Sequence, residues 1–168
     1  MAALAVLVWP LPPAPLAWLG PDGGNAAMVL SGKVTPMRPD RRMFATESFA
    51  QHRGLEIDPL GDHFACNRDH CLGPASDHPR IAAWFTRRRP SSERMADLCD
   101  SDILVLDSAA ELPTGCVRPL VLRSQTFRTF GAAEVLATPS GWTLDWTSAH
   151  RGRWPWTRPP TLVSDSVE

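Results

Sequence analysis

A chain of 168 residues falls within the size range of a single domain. Hydrophobic residues make up 43% of it, which is enough for one modest core. Charged residues are 21% and the formal net charge is −1, so no overall positive field exists to hold a phosphate backbone. Composition therefore argues against a dedicated nucleic-acid-binding domain and leaves room only for a local basic patch.

Residues 1–21 contain no charged side chain and are almost wholly apolar. The first charged residue is Asp22. Four prolines between residues 10 and 15 exclude a continuous helix, because proline lacks an amide donor and clashes with the preceding turn. As a helix, the stretch Met1–Trp9 would rise only ~14 Å, against ~30 Å of bilayer hydrocarbon. No basic residue precedes the apolar run, as one would in a signal peptide. We predict that residues 1–21 are the end of a transmembrane helix with a proline-rich exit, Trp9 and Trp18 lying at the membrane interface. The alternative is a disordered apolar leader on a misassigned start codon.

The next part of the chain predicts short elements. Ala26–Leu30 lies between two turn sequences and predicts a hairpin of short strands. The apolar spacing of Met43–His52 predicts a short helix, whereas Gly54–Pro79 reads as irregular. Arg80–Arg88 predicts a strand. A helix then begins at Ser91 or Ser92 and ends near Cys99.

The clearest element is Asp102–Asp107, a continuous apolar run of strand length between polar residues, which is typical of a strand buried on both faces. Leu120–Leu122 repeats the pattern. Ala132–Ala137 and Trp142–Thr147, separated by a proline- and glycine-containing turn, predict a second hairpin. Residues 159–168 are expected to form a disordered tail.

Four cysteines form an even set: Cys66, Cys71, Cys99 and Cys116. In an oxidising compartment they predict two disulfides, and in the cytosol a metal site or buried thiols. Cys66 and Cys71 can close a small loop, since only four residues separate them. Cys99 and Cys116 each precede an apolar strand. If these strands are parallel neighbours, the two thiols meet at one edge of the sheet, where a bridge is worth ~3 kcal/mol.

The order of several fragments between Cys66 and Arg158 resembles the C-terminal region of ComEC-type DNA-internalisation proteins of alphaproteobacteria. The fragments are Cys66, Cys71–Gly73, Leu98–Val105, Gly115–Cys116, Pro119–Leu122, Gly131–Ala132 and Arg151–Trp156. The resemblance implies a polytopic membrane core that conducts single-stranded DNA, followed by a metallo-β-lactamase-like domain. For this chain it implies a degenerate form of that domain, which keeps the strands and has lost the metal.

Two kinds of metal site are alternatives to this interpretation. A metallo-β-lactamase-like hydrolase needs two histidines one residue apart and an Asp-His pair behind them, and no His-x-His occurs in the chain. The hydrolase alternative would take its ligands from Asp62, His63, Asp69 and His70. A structural zinc held by His63, Cys66, His70 and Cys71 is a further alternative.

Two arginine clusters are candidates for contact with single-stranded DNA through phosphates and stacked bases. One is Arg87–Arg89. The other combines Arg151, Arg153 and Arg158 with Trp154 and Trp156. The alternative for these residues is a solvated charged edge and a tryptophan corner packed on the last strand. No Ser-His-Asp set, P-loop or dinucleotide motif is present in the sequence.

We therefore expect a small α/β domain over residues 22–158, with a shortened metallo-β-lactamase-like sheet and few helices, preceded by the end of a transmembrane helix. The expected role is that of a non-catalytic accessory domain of a DNA-uptake channel in natural transformation, without a cofactor. Its soluble part would be periplasmic, at the inner membrane. Its partners would be the family's transmembrane core, the membrane and single-stranded DNA. A stand-alone secreted interaction protein is the third alternative.

Overall fold

The computed structural model describes residues 13–40, 43–60, 64–74, 78–86, 88–106 and 111–150. In chain order the strands are β1 Pro15–Leu19, β2 Ala26–Leu30, β3 Lys33–Pro36, β4 Glu56–Ile57, β5 Ala65–Cys66, β6 His70–Leu72, β7 Ile81–Trp84, β8 Ile103–Leu106, β9 Leu120–Arg123, β10 Ala133–Thr138 and β11 Gly141–Trp146. The helices are α1 Met43–Arg53, α2 Ser92–Cys99, α3 Ser124–Phe130 and α4 Thr147–His150. Over these ranges, none of the helices has the length and apolarity that a membrane crossing requires.

The strands form two sheets. The first has six strands in the order β11-β10-β1-β2-β3-β4, and all its pairs are antiparallel except β3 with β4. The second has five strands in the order β5-β6-β7-β8-β9. In this sheet β7, β8 and β9 are parallel, and α2 lies on the connection between β7 and β8. The chain therefore contains a βαβ unit within a mixed sheet.

The two sheets pack face to face, with a helix on the outer face of each. Alternate residues of β8 show why: Ile103 and Val105 lie in the core between the sheets, whereas Leu104 and Leu106 pack on the side of α2. In β1, Leu19 points into the same central core and Trp18 packs on the side of α1. Because both faces of these strands are buried, the sequence of each strand is an unbroken apolar run. The layers are α1, first sheet, second sheet and α2.

Most of the predicted elements are confirmed. The structure has the hairpin of β2 and β3, helix α1, strand β7, the buried strand β8, its neighbour β9 and the hairpin of β10 and β11. Helix α2 begins after Ser91, whose hydroxyl accepts a hydrogen bond from the Arg94 amide at 3.2 Å. The mixed α/β class is confirmed.

The prediction for residues 13–21 is corrected. Instead of leading out of a membrane, Pro15–Leu19 forms β1, which pairs with β2 on one side and β10 on the other. Trp18 is 5% exposed and stacks on Phe49, with ring centroids 5.4 Å apart, so it is no interface anchor. Proline is tolerated at the first residue of a strand and beside a bulge, and the register of β1 against β10 shifts between Pro15 and Ala17. The folded unit therefore begins before residue 22. Met1–Trp9 lies outside the described residues.

Two further differences concern short elements. Gly54–Pro79 was expected to be irregular, but it contains β4, β5 and β6, of two or three residues each. Helix α3, directly after β9, was not predicted. Strands this short carry no readable alternation, and the β-branched and aromatic residues of α3 are weak helix formers.

Candidate functional site

A cleft of about 410 Å³ opens where the parallel strands of the second sheet end. Leu106 is the last residue of β8, Phe85 follows β7 and Ser124 follows β9. In open α/β sheets, ligands bind in crevices at the carboxyl ends of the strands. The cleft is lined by Pro21, Asp22, Gly23, Gly24, Arg38, Phe85, Val105, Leu106, Ser124, Phe127 and Arg128.

One wall of the cleft is the turn between β1 and β2. The Gly24 amide donates to Asp22 Oδ1 at 2.7 Å, which closes the turn locally. Gly23 has φ +68°, and a Cβ at this position would lie 2.8 Å from a ring carbon of Phe127 and 3.1 Å from Val105. The turn of the first sheet thus rests directly on the end of β8 and on α3, and only glycine fits there.

Two arginines, Arg38 and Arg128, line the cleft. The guanidinium carbon of Arg38 lies 4.4 Å from the centroid of the Phe85 ring. The Arg38 amide donates to Oδ1 of Asn25 at 3.2 Å, and Asn25 is only 4% exposed. Arg128 is exposed on α3 and has no ion-pair partner among the described residues. Among the described residues that line the cleft, Arg38 and Arg128 carry guanidinium groups and Asp22 carries a carboxylate.

Both predicted disulfides are present. Cys66 and Cys71 are direct partners in the β5–β6 hairpin, with Cα atoms 4.1 Å apart. Cys99 and Cys116 have Cα atoms 5.2 Å apart, and the strands that follow them, β8 and β9, are parallel neighbours as expected. This second bridge lies at the amino ends of these strands, and the cleft at their carboxyl ends.

Ion pairs surround the second disulfide. Asp100 accepts from Arg80 at 2.8 Å and from Arg118 at 2.9 Å, and Arg118 also reaches Asp102 at 3.4 Å. The Arg80 amide donates to the carboxylate of Asp102 at 2.8 Å. Asp100 and Asp102 follow Cys99 by one and three residues, and Arg118 follows Cys116 by two. The network therefore holds the same strand ends together as the bridge does.

The structure corrects the zinc alternative. Because the sulfurs of Cys66 and Cys71 are bonded to each other, they are not thiolate ligands. His70 is 5% exposed and stacks on Trp84 at 5.8 Å, and its burial lowers its pKa. Across the described ranges no group of three or more histidine, cysteine or carboxylate side chains is placed to hold a metal ion.

Several predicted site residues lie outside the described residues. They are Asp62 and His63 of the hydrolase alternative, Arg87, and the tail residues Arg151, Arg153, Trp154, Trp156 and Arg158. Arg88 and Arg89 are described and exposed, and the Arg88 carbonyl accepts a hydrogen bond from the Trp84 indole at 2.8 Å.

The cleft itself was missed from the sequence. The sequence predicts only a turn at residues 21–25, Arg38 belongs to no predicted element, and Arg128 lies on the unpredicted helix α3. The glycine pair of the turn, beside an aspartate, was the one local signal that could have indicated a close backbone approach.

Comparison of the chain with protein-family models, with curated proteins and with solved structures finds no match.

Proposed function

We propose that this chain is a non-catalytic accessory domain of a ComEC-type membrane protein for DNA uptake in natural transformation, and that its folded part lies in the periplasm. The observation that carries the proposal is the pair of disulfides. Structural disulfides persist in oxidising compartments and are rare in the cytosol. A domain attached to a channel for incoming DNA would meet this condition on the outer side of the inner membrane.

The position of the resembling fragments in the fold supports the proposal. Cys66, Cys71–Gly73, Leu98–Val105 and Pro119–Leu122 contribute β5, β6, the end of α2, β8 and β9. These elements belong to one sheet and its covering helix, so these four fragments form one structural unit, whereas Gly131–Ala132 precedes β10 of the other sheet. A shortened metallo-β-lactamase-like fold is part of the proposal, supported by two face-to-face sheets with helices outside.

The absence of catalysis is proposed from the side chains. No His-x-His occurs in the sequence, and the lining of the cleft, as far as the structure describes it, includes one carboxylate, that of Asp22, and no histidine or cysteine. A site for a catalytic zinc needs three protein ligands and an open position. The described lining offers two arginines and two phenylalanines instead.

The proposal is tested in a transformable strain that carries the gene, by removing residues 15–150 from the encoded protein. We expect the frequency of transformation by marked linear DNA to fall at least tenfold, while immunoblotting shows unchanged amounts of any membrane-embedded part. An unchanged frequency contradicts the accessory role.

A second assay addresses catalysis. The purified, oxidised chain is incubated with labelled single- and double-stranded DNA in the presence of Zn²⁺, Mn²⁺ or Mg²⁺. We expect intact DNA. Cleavage that is abolished by His63→Ala would contradict the proposal and establish the hydrolase.

A further inference from the structure

We propose that two copies of this chain associate through the free edge of β11, by antiparallel pairing of β11 with β11 of a partner subunit. The two six-stranded sheets then join into one continuous sheet. The inference rests on the geometry of β11 and is independent of the proposed function.

β11 is the longest edge strand of the described sheets. It has six residues and pairs with β10, whereas the other edge strands, β4, β5 and β9, have two, two and four residues. Its register against β10 runs without a bulge from Gly141 to Trp146. Natural edge strands are commonly protected by a very short length, a lysine, a proline or a bulge, and β11 has none of these features. Such an edge is a template for pairing with another strand.

The backbone groups of alternate β11 residues point to this edge. The Thr147 amide donates to the Ala132 carbonyl at 2.9 Å, so this pair is a hydrogen-bonded one. Because hydrogen-bonded and non-hydrogen-bonded pairs alternate in an antiparallel ladder, the amides of Trp142, Leu144 and Trp146 point away from β10. The carbonyls of Trp142 and Leu144 do the same. Within the described ranges these amides and carbonyls have no hydrogen-bond partner.

The chain that follows β11 is directed toward β10 and α3 rather than over the free edge. The amide of Thr147 is bonded to Ala132, and its Oγ1 donates to the Phe130 carbonyl at 3.3 Å. The ring of Trp146 lies 5.8 Å from that of Phe127 and 5.5 Å from that of Phe130, between centroids. The end of β11 is therefore fixed before a partner binds, and a fixed edge loses little conformational freedom on pairing.

The strand is complementary to a second copy of itself. A two-fold axis through Leu144 pairs this residue with Leu144 of the partner subunit, and Trp146 with Trp142 of the partner subunit. The two leucines exchange both backbone hydrogen bonds, and each Trp146 amide donates to a Trp142 carbonyl. These three side chains lie on the face toward the central core and are only partly buried in one copy. Pairing covers more of their apolar surface, and such cross-strand pairs stabilise sheets.

The charge on β11 also fits this register. Asp145 is the single charged residue of the strand, and its Oδ1 lies 2.8 Å from Nε2 of His150. Across the two-fold axis each Asp145 faces Thr143 of the partner subunit, an exposed residue whose hydroxyl can donate to the carboxylate. The register that uses these backbone groups therefore brings no like charges together.

Sedimentation velocity of the oxidised full-length chain, from low micromolar to millimolar concentration, tests the proposal. We expect a reversible change from a single chain of 18.5 kDa to a dimer of twice that mass. Thr143→Glu should weaken the dimer at least about tenfold, because it places a second carboxylate opposite Asp145 of the partner subunit. Thr143→Lys places an ammonium group there and should keep the dimer. Thr114→Glu makes the matched change at an exposed loop residue before β9 and should leave the affinity within about twofold.

Residue-resolved hydrogen exchange locates the interface. The amides of Leu144 and Trp146 should exchange at least about tenfold more slowly at the concentration that favours the dimer. Those of Thr143 and Asp145 already bond to β10 and should change much less.

A monomer at every concentration, or a dimer of wild-type affinity in Thr143→Glu, would overturn the inference. Equal losses in Thr143→Glu and Thr143→Lys would overturn the register and with it the proposal. Protection of Leu144 and Trp146 that is independent of concentration would show that residues of the same chain cover the edge. Concentration-dependent protection confined to other strands would place the interface elsewhere, and both of these results count against the proposal.

Discussion

Breaking the bridge between Cys99 and Cys116 should cost more stability than breaking the bridge between Cys66 and Cys71. The first joins residues 17 apart in sequence and the second residues 5 apart. In the chain-entropy model these loops correspond to ~3 and ~2 kcal/mol, since a longer loop removes more freedom from the unfolded chain. For a marginally stable domain, ~3 kcal/mol is a large part of the total.

Ion pairs at the same strand ends do not replace the longer bridge. The carboxylate of Asp100, which joins Arg80 and Arg118, has 62% of its side chain exposed. Exposed pairs of this kind contribute ~0–1 kcal/mol each. They do keep the strand ends in place in the folded protein after reduction. The expected loss of stability therefore arises mainly because the unfolded chain gains conformational freedom.

A matched design separates the bridges from the side chains. In the variant Cys66→Ala/Cys71→Ala, dithiothreitol breaks only the longer bridge, and in Cys99→Ala/Cys116→Ala it breaks only the shorter one. The free energy of unfolding is measured with urea, before and after reduction, from tryptophan fluorescence. We expect losses of ~3 and ~2 kcal/mol respectively. A loss below ~1 kcal/mol for the longer bridge, or a larger loss for the shorter one, would refute the reasoning.

Three other results are expected. Gly23→Ala should destabilise the fold by ~2–4 kcal/mol, because the positive φ strains an alanine backbone and the new Cβ collides with the Phe127 ring. Gly32→Ala, with φ +77° and open space around it, should cost only ~1–2 kcal/mol, and equal losses would contradict the packing of the turn. Arg53 donates through Nε to Glu134 Oε1 at 2.8 Å and through a second nitrogen to Oε2, and both side chains are at most one-fifth exposed. A double-mutant cycle with alanine should give a coupling of ~1–2 kcal/mol, and a value near zero would contradict this contact. Burial lowers the pKa of His70 below its usual 6.5 in the folded state, so the unfolded chain takes up the proton first. Stability should therefore fall as the pH drops below about 6.5, more steeply in the wild type than in His70→Phe, and equal slopes would contradict the prediction.

Local patterns allowed much of the second sheet to be predicted. The run at Ile103–Leu106 is apolar at every residue because both faces are covered, and such a run can be read without knowing its neighbours. The position of Cys99 and Cys116 before two such runs then led to the correct pairing. Here the chemistry of a few residues was enough, because parallel strands bring corresponding positions to one edge.

The errors arose where distant contacts decide the structure. Residues 13–21 resemble a membrane exit because they are apolar and proline-rich, yet β1 is stabilised by β10, which lies near the other end of the described chain. The same holds for the cleft. Asp22, Arg38, Phe85 and Arg128 have no common spacing in sequence, and only the packing of one sheet on the other brings them together.

The redox state of the four cysteines inside the cell tests the central claim most directly. Cells that express the protein at its natural level are quenched in acid and denatured without reductant, and their free sulfhydryls are alkylated with a mass-shifting maleimide. The account predicts a protein without added mass, in which all four sulfurs are paired as Cys66–Cys71 and Cys99–Cys116. A protein that carries four maleimides would place the domain on the reducing side of the membrane and contradict the account.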